Sequence, residues 1–72
     1  MKGWMRVPQI TLKAARVNAG FTQEKAAELL HVAPKTIVWW EAGRRFPTVD
    51  KVYEICKLYN VKFDDVAFLP KD

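Results

Sequence analysis

The stretch TQEKAAELLHVAPKTIVWWEAG, from Thr22 to Gly43, decides the fold. Thr22 suits a helix N-cap because its hydroxyl oxygen can accept a first-turn N–H, and QEKAAELL continues as an amphipathic helix. The turn HVAP interrupts that helix, and Pro34 suits the first position of another one, where a missing N–H leaves no bond unmade. Gly43 is a suitable stop for the second helix. The stretch therefore predicts two helices of eight or nine residues joined by a tight turn.

Three small or apolar side chains suit the packing of these two helices against each other. Ala27 is the small residue that close approach needs in the first helix, while Val32 and Ile37 provide apolar contacts after the turn. Two helices joined by a turn of three or four residues form a helix-turn-helix motif, whose second helix can enter the major groove of DNA. The spacing predicts this motif.

The tryptophan pair inside the motif is predicted to point in two directions, because adjacent helical residues lie about 100° apart. Trp40 follows Ile37 by three residues, which predicts a buried indole. Trp39 follows Lys35 by four residues, which predicts an exposed indole on the outer face of the helix.

Further helices are predicted on both sides of the motif. Thr11 can cap a helix over residues 12–19, and Thr48 can cap one over residues 49–59. The i, i+3, i+4, i+7 spacing of apolar residues in the latter predicts a buried face. Its members are Val49, Val52, Tyr53, Cys56 and Tyr59. Cys56 is interpreted as a small core hydrophobe.

The C-terminal segment VKFDDVAFL, residues 61–69, predicts one more short helix, which Pro70 ends. Its apolar anchors are Val61, Phe63, Val66 and Leu69. Nothing in the sequence indicates a strand, a repeat or a linker. We therefore predict an all-α domain of five short helices over residues 11–69, with an N-terminal arm at 1–10 and a tail at 70–72.

Composition places the chain among single globular domains. It has 72 residues, of which 50% are hydrophobic and 28% charged, and a net charge of +4 that is compatible with a polyanionic partner. With one cysteine and one histidine it can form neither an intrachain disulfide nor a zinc cluster. We expect no signal peptide, no membrane span and a cytoplasmic location in a bacterial or phage-infected cell.

Residues for catalysis are scarce. His31 is the sole histidine, serine is absent, and three glycines leave no phosphate-binding loop. Asp64 and Asp65 could form a metal pair, but adjacent acids near a terminus more often form a solvated or capping face. We expect no enzyme activity, no metal, no cofactor and no small-molecule ligand.

Four pieces of the sequence carry a family resemblance over residues 12–69, namely TQEKAAELL, VAPKTIVWWEAG, RRFPTVDKVYEI and LYNVKFDDV. Together they resemble the Cro/C1-type helix-turn-helix family of phage-repressor-like DNA-binding domains. The resemblance implies a five-helix, lambda-repressor-like fold. It also implies that the helix from Pro34 to Trp40 lies in the major groove with its N-terminal part at the base edges.

The same resemblance assigns roles to individual positions. The base-facing positions are Pro34, Lys35, Val38 and Trp39. The positions that contact phosphate are Gln23, Thr36, Gly43, Arg44 and Arg45. Arg16 and Glu41 occupy positions that form a partly buried salt bridge in several relatives.

Three departures from the family pattern affect these roles. His31 occupies a turn position where glycine is common, and Ala33 occupies a site where serine or threonine normally caps the recognition helix. Pro34 and Trp39 replace the usual polar readers, and neither can form a bidentate hydrogen bond to a base. Direct readout would then rest on Lys35 with guanine O6 and N7, and on apolar contact of Val38 or Trp39 with thymine methyl groups.

These observations predict a sequence-specific double-stranded DNA-binding regulator of the repressor type, derived from a phage or prophage. It would act by occupying an operator as a homodimer, at least when bound to DNA. One alternative is a protein-interaction module on the same fold, such as an antitoxin or a phage accessory protein, that binds a protein through Val38 and Trp39. A second is a nucleoid or recombination accessory factor with little sequence preference.

Overall fold

Four helices form most of the part of the chain that the structure, a computed structural model, describes, which is residues 9–68. In chain order the elements are β1 (Ile10–Thr11), α1 (Leu12–Asn18), α2 (Gln23–Leu30), α3 (Pro34–Ala42), α4 (Val49–Tyr59), a 3₁₀ helix (Phe63–Asp65) and β2 (Val66–Ala67). Most of the predicted arm, the tail and Leu69 lie outside the described residues. Within them, no helix is long and apolar enough to cross a membrane.

Local sequence explains where the helices begin. Three of them start at a threonine whose hydroxyl accepts a backbone N–H three residues later: Thr11, Thr22 and Thr48. Helix α3 begins instead at Ala33, which has no side-chain oxygen, with Pro34 in its first turn. The missing cap costs about 1 kcal/mol, which the fixed φ of proline partly offsets.

The turn between α2 and α3 depends on a left-handed residue that is not glycine. His31 has φ 60° and ψ 44°, and Val32 N donates to Ala27 O at 3.0 Å. Histidine is among the side chains that tolerate this region. The turn therefore closes with the unusual residue that the sequence places there, and α3 is held against α2.

The core lies where the four helices meet the short strand pair. Its buried apolar residues are Leu12, Ala15, Ala26, Ala27, Leu30, Ile37, Trp40, Ile55, Tyr59, Val66 and Phe68. Ala26 and Ala27 are completely or almost completely buried. Their small side chains allow α2 to approach its neighbours closely, so the predicted packing role of Ala27 agrees with its burial.

The predicted fifth helix and the predicted absence of strands are both wrong. Residues 63–65 form a single 3₁₀ turn, after which Val66 pairs with Ile10 in a short parallel ladder. Val66 and Phe68 are buried on either side of a less buried Ala67, which is the two-residue period of a strand. The all-α helix-turn-helix fold stands, with four α-helices in the described residues.

The predicted buried face of α4 is also partly wrong. Val49 and Tyr53 are 84% and 69% exposed, whereas Ile55 is completely buried. The positions 52, 55, 56 and 59 satisfy the same helical spacing as the predicted set, and packing selects this second stripe. Helix α4 therefore has an apolar face in the core and a further apolar strip on the outside.

Candidate nucleic-acid interface

Helix α3 has one face in the core and another directed to solvent. Ile37 and Trp40 are 1% and 6% exposed, so the predicted burial of Trp40 is confirmed. On the outer side Pro34, Lys35 and Val38 are exposed. Because the inner side chains are fixed by packing, the outer three are presented from a rigid helix.

Trp39 is only partly exposed, which corrects the prediction of an exposed indole. The Arg45 guanidinium carbon lies 4.4 Å from the ring centroid, and the Lys35 ammonium lies 5.7 Å from it. Each cation is attracted by the negative face of the ring, by about 0.5–1 kcal/mol at an exposed site. The indole therefore serves as a platform that holds two cations beside the outer face of α3.

The loop after α3 folds back over this platform. Gly43 ends the helix with φ 76°, a left-handed conformation that glycine adopts without strain. The backbone N–H groups of Arg44 and Arg45 then both donate hydrogen bonds to the carbonyl oxygen of Trp39, at 2.9 and 3.5 Å. As a result Arg44 and Arg45 follow α3 closely and extend the positive charge beside its outer face.

The structure brings Arg16 and Glu41 together. Arg16 Nε donates to Glu41 Oε2 at 2.6 Å, and each side chain is 7% exposed. Arg16 also donates to Glu41 Oε1 at 3.3 Å and to Phe21 O at 2.8 Å. The pKa of Arg16 is raised, chiefly by its hydrogen bond to Glu41, against the opposing effect of burial. The pair fixes the end of α3 to α1.

Gln23 belongs to the same network. Its Nε2 donates to Glu41 Oε1 at 3.1 Å, so the side-chain amide predicted to contact phosphate is already engaged within the protein. The amide keeps a second hydrogen, and the backbone N–H of Gln23, in the first turn of α2, has no intrahelical acceptor. Thr36 is partly buried in the first turn of α3. Both residues are partly exposed and lie in the first turns of their helices.

Sequence reasoning missed Lys51 as a positioning residue. Its Nζ donates to Leu30 O at 2.7 Å and lies 3.2 Å from Glu54 Oε1. The ammonium thus caps the last carbonyl of α2 and ties α4 to the helix-turn-helix unit. A lysine three residues after an N-cap is too common a pattern to reveal this contact in advance.

The other candidate reactive groups are dispersed. Across residues 9–68 no group of three His, Cys, Asp or Glu side chains is placed to hold a metal ion. Burial raises the pKa of Cys56, which makes its thiol a poor nucleophile. Asp64 lies in the 3₁₀ helix, where its carbonyl oxygen accepts from Gln9 Nε2 at 2.9 Å.

In a comparison with known proteins, residues 12–66 match the helix-turn-helix family model HTH_3. The chain is 40% identical over 53 residues to the HTH-type transcriptional regulator ImmR of Bacillus subtilis, a match that covers 74% of this chain and 42% of ImmR. It is 31% identical over 61 residues to YgzD of the same organism, an uncharacterised HTH-type transcriptional regulator, covering 85% of this chain and 92% of YgzD. It is also 33% identical over 55 residues to the HTH-type transcriptional activator BcrR of Enterococcus faecalis, covering 76% of this chain and 27% of BcrR.

Proposed function

Because this chain belongs to the helix-turn-helix family of DNA-binding transcriptional regulators, we propose that it represses transcription by binding a specific operator. Helix α3 would lie in the major groove of double-stranded DNA. The protein would exclude polymerase or a competing regulator by occupancy alone, without catalysis or a cofactor. We further propose a phage or prophage origin and a cytoplasmic site of action.

The observation that carries this proposal is the division of α3 into a packed inner face and a solvent-directed outer face. Ile37 and Trp40 fix the helix, and Lys35 and Val38 project from it. A rigid helix with a basic and an apolar side chain on its free face matches what major-groove readout requires.

Each outer residue has a definite proposed role at the bases. Lys35 would donate to guanine O6 or N7, and Val38 would contact a thymine methyl group. Pro34 has no hydrogen-bond donor, and its proposed role is steric fit to the DNA surface at the first turn of α3. Trp39 would offer the free edge of its ring to a thymine methyl while its face holds Arg45.

Contacts to the DNA backbone would set the register of the helix. The proposed phosphate contacts are Gln23, Thr36, Gly43, Arg44 and Arg45, at the starts of α2 and α3 and in the loop after α3. Three to five such contacts per protomer would give a log–log salt slope of roughly −3 to −5. A homodimer on DNA would double the number of phosphate contacts, and with it the salt slope, and would read two half-sites.

The exposed side chain of Val38 favours one competing function, in which the same face binds a protein partner. Val38 is 44% exposed beside the indole platform, and an apolar group there would suit a protein interface as well as a thymine methyl. The two functions differ in salt dependence, because only a DNA reader must release condensed counterions.

Selection of bound sites from random duplexes, followed by a salt titration on the selected site, tests the proposal. We expect one enriched sequence and a slope of roughly −3 to −5 per protomer. Lys35→Ala should relax preference at one or two base pairs, whereas Lys13→Ala, which removes an exposed lysine on α1, should leave preference unchanged. A slope near zero would refute DNA reading, and binding without an enriched sequence would favour an accessory DNA-binding role.

A further inference from the structure

The outer face of α3 offers DNA one cation and several apolar groups, without an exposed side chain that could accept a hydrogen bond. Helix α3 has nine residues, all of which the structure describes, and its exposed side chains are Pro34, Lys35, Val38 and Ala42. Lysine is a donor only, and the other three side chains carry no polar atom. A base that meets this face must therefore be recognised through its own acceptors or its apolar groups.

Two side chains of α3 could accept a hydrogen bond, and neither is exposed. The Glu41 carboxylate is 7% exposed and accepts from Arg16 and Gln23, so it is engaged within the protein. Thr36 is partly buried, and its proposed contact is a phosphate. The amino groups of adenine and cytosine are donors in the major groove, so they would meet no exposed side-chain acceptor on this helix.

Val38 is the side chain of α3 that is best placed to contact a base methyl group. It is 44% exposed, whereas the neighbouring Trp39 is partly buried and its ring already holds Arg45 at 4.4 Å. Val38 follows Lys35 by three residues, so their Cβ atoms lie about 5–6 Å apart on one side of the helix. Successive bases of a strand are about 3.4 Å apart. The two side chains would therefore meet one base pair or two adjacent ones.

Few base combinations satisfy Lys35 and Val38 at the same time. Lys35 needs guanine O6 or N7, and Val38 needs a C5-methyl group such as that of thymine. Thymine beside guanine offers both. 5-Methylcytosine also offers both, because it carries its methyl group at the same ring position as thymine and pairs with guanine. Unmethylated cytosine keeps the guanine but leaves Val38 without a methyl group to contact.

We propose that Val38 reads the C5-methyl group of a pyrimidine, so that methylation of a cytosine at this position raises the affinity of the operator for the protein. 5-Methylcytosine would take the place of the thymine proposed above. Burial of one methyl group corresponds to about a 4-fold gain in affinity for one half-site. A homodimer on two half-sites would gain about 15-fold. Cytosine methylation would thus regulate how fully the operator is occupied.

This inference rests on the proposed function, because it concerns the bases that the same helix reads. It adds a dependence on one methyl group, which can be removed or restored in the DNA without any change in the protein. DNA binding and methyl reading can therefore fail separately.

A half-site duplex with single modified bases tests the inference on the full chain. Uracil first replaces each thymine of the selected site in turn, which removes only the methyl group. We expect about a 4-fold loss of affinity at the position under Val38. At that position a pair of 5-methylcytosine with guanine should bind about 4-fold more tightly than cytosine with guanine. N4-methylcytosine carries the same group on its amino nitrogen and should bind no better than cytosine.

Val38→Ala identifies the side chain responsible, with Val17→Ala on α1 as the matched control. Both valines are exposed on helices, at 44% and 55%, so both variants should fold. The affinity ratio of the 5-methylcytosine duplex to the cytosine duplex should fall from about 4 to below about 2 in Val38→Ala and stay at about 4 in Val17→Ala. Because the ratio compares two duplexes on one protein, a change in stability does not alter it.

The possible outcomes separate this inference from the proposed function. Sequence-specific binding with equal affinity for the methylated and unmethylated duplexes would overturn methyl reading and leave the DNA-binding proposal standing. Weaker binding to 5-methylcytosine would also overturn it, since the methyl group would then clash with the helix. The same methyl effect in Val38→Ala as in the wild type would overturn the role of Val38. Absence of binding to any duplex would refute both proposals.

Discussion

Replacing Glu41 with alanine should be one of the most damaging single substitutions on the polar side of this domain. The Glu41 carboxylate accepts two hydrogen bonds from Arg16 and one from Gln23. Removing it leaves the Arg16 guanidinium, whose side chain is 7% exposed, without its counter-charge. The hydrogen bonds that join α3 to α1 and to the start of α2 are lost in the same step.

The magnitude follows from burial. Removing one partner of a buried ion pair typically costs about 3–5 kcal/mol, because the remaining charge is neither paired nor hydrated. Arg16 keeps its bond to Phe21 O at 2.8 Å, which favours the lower end of that range. A domain of this length has about 4–11 kcal/mol of stability, so Glu41→Ala should lower the melting temperature by about 15–30 °C.

Urea denaturation followed by circular dichroism measures this loss, and the chain offers a matched control. Glu28 forms an ion pair with Lys25 at 3.6 Å, but its side chain is 71% exposed. Glu28→Ala removes the same groups from a solvated pair and should cost at most about 1 kcal/mol. The difference between the two variants isolates the effect of burial.

A double variant completes the test. Arg16→Met combined with Glu41→Leu removes both charges and fills the space with apolar groups, so it should regain most of the stability lost in Glu41→Ala. If Glu41→Ala costs no more than Glu28→Ala, water reaches the pair freely and the reasoning from burial is wrong. If the double variant is as unstable as Glu41→Ala, an unpaired charge is not the cause.

Three further outcomes are expected. Replacing Arg44 and Arg45 together with alanine should weaken binding to all duplexes by a similar factor and flatten the salt slope by about two units; a changed sequence preference with an intact slope would contradict their phosphate role. Trp39→Ala should reduce DNA affinity about 2–5-fold by releasing Arg45, whereas Trp39→Phe keeps an aromatic face and should retain most of the affinity. Equal binding by both variants and the wild type would contradict the role of the Trp39 ring in holding Arg45. Burial, with a smaller contribution from a nearby carboxylate, raises the pKa of Tyr59 to about 12, against an ordinary value of about 10. As the pH rises, Tyr59 therefore ionises in the unfolded chain before it does so in the folded one, and about 2–3 kcal/mol of stability present below pH 10 should be lost by pH 12. Urea denaturation across this pH range should show a smaller loss in Tyr59→Phe than in the wild type or in Tyr53→Phe. Equal losses in all three proteins would contradict the raised pKa of Tyr59.

The helix starts could be predicted because the chemistry that sets them is local. A threonine hydroxyl reaches an N–H three residues away in Thr11, Thr22 and Thr48. Turn residues with positive φ, such as His31 and Gly43, likewise act within one helical turn. Consequently the helix-turn-helix motif and most of its boundaries follow from short windows of sequence.

The elements that were predicted wrongly depend on distant partners. Val66 and Ala67 become a strand because they pair with Ile10 and Thr11, more than 50 residues earlier, and no local period reveals that pairing. On α4 two overlapping stripes satisfy one helical spacing, and the neighbours of Ile55 decide which is buried. Only tertiary packing resolves such a choice.

In the candidate site, too, the features set by local spacing could be predicted from the sequence, and those set by distant contacts could not. The outward direction of Lys35 and Val38 follows from helical spacing alone. The Arg16–Glu41 pair spans 25 residues, so spacing could not propose it and the family resemblance did. The stacking of Arg45 on Trp39 depends on how the loop after Gly43 folds back, which a sequence read one helix at a time does not specify.

The adjacent tryptophans connect the stability of the domain to its proposed DNA contacts. Trp40 holds α3 in the core at 6% exposure, and this fixes the direction of the neighbouring indole. Trp39 then holds Arg45 twice, because its carbonyl oxygen faces the backbone N–H at 3.5 Å and its ring faces the guanidinium at 4.4 Å. A cation restrained in this way loses less side-chain entropy on meeting a phosphate than one on a free loop. The buried indole of Trp40 therefore positions α3, and the outer indole of Trp39 positions the Arg45 guanidinium.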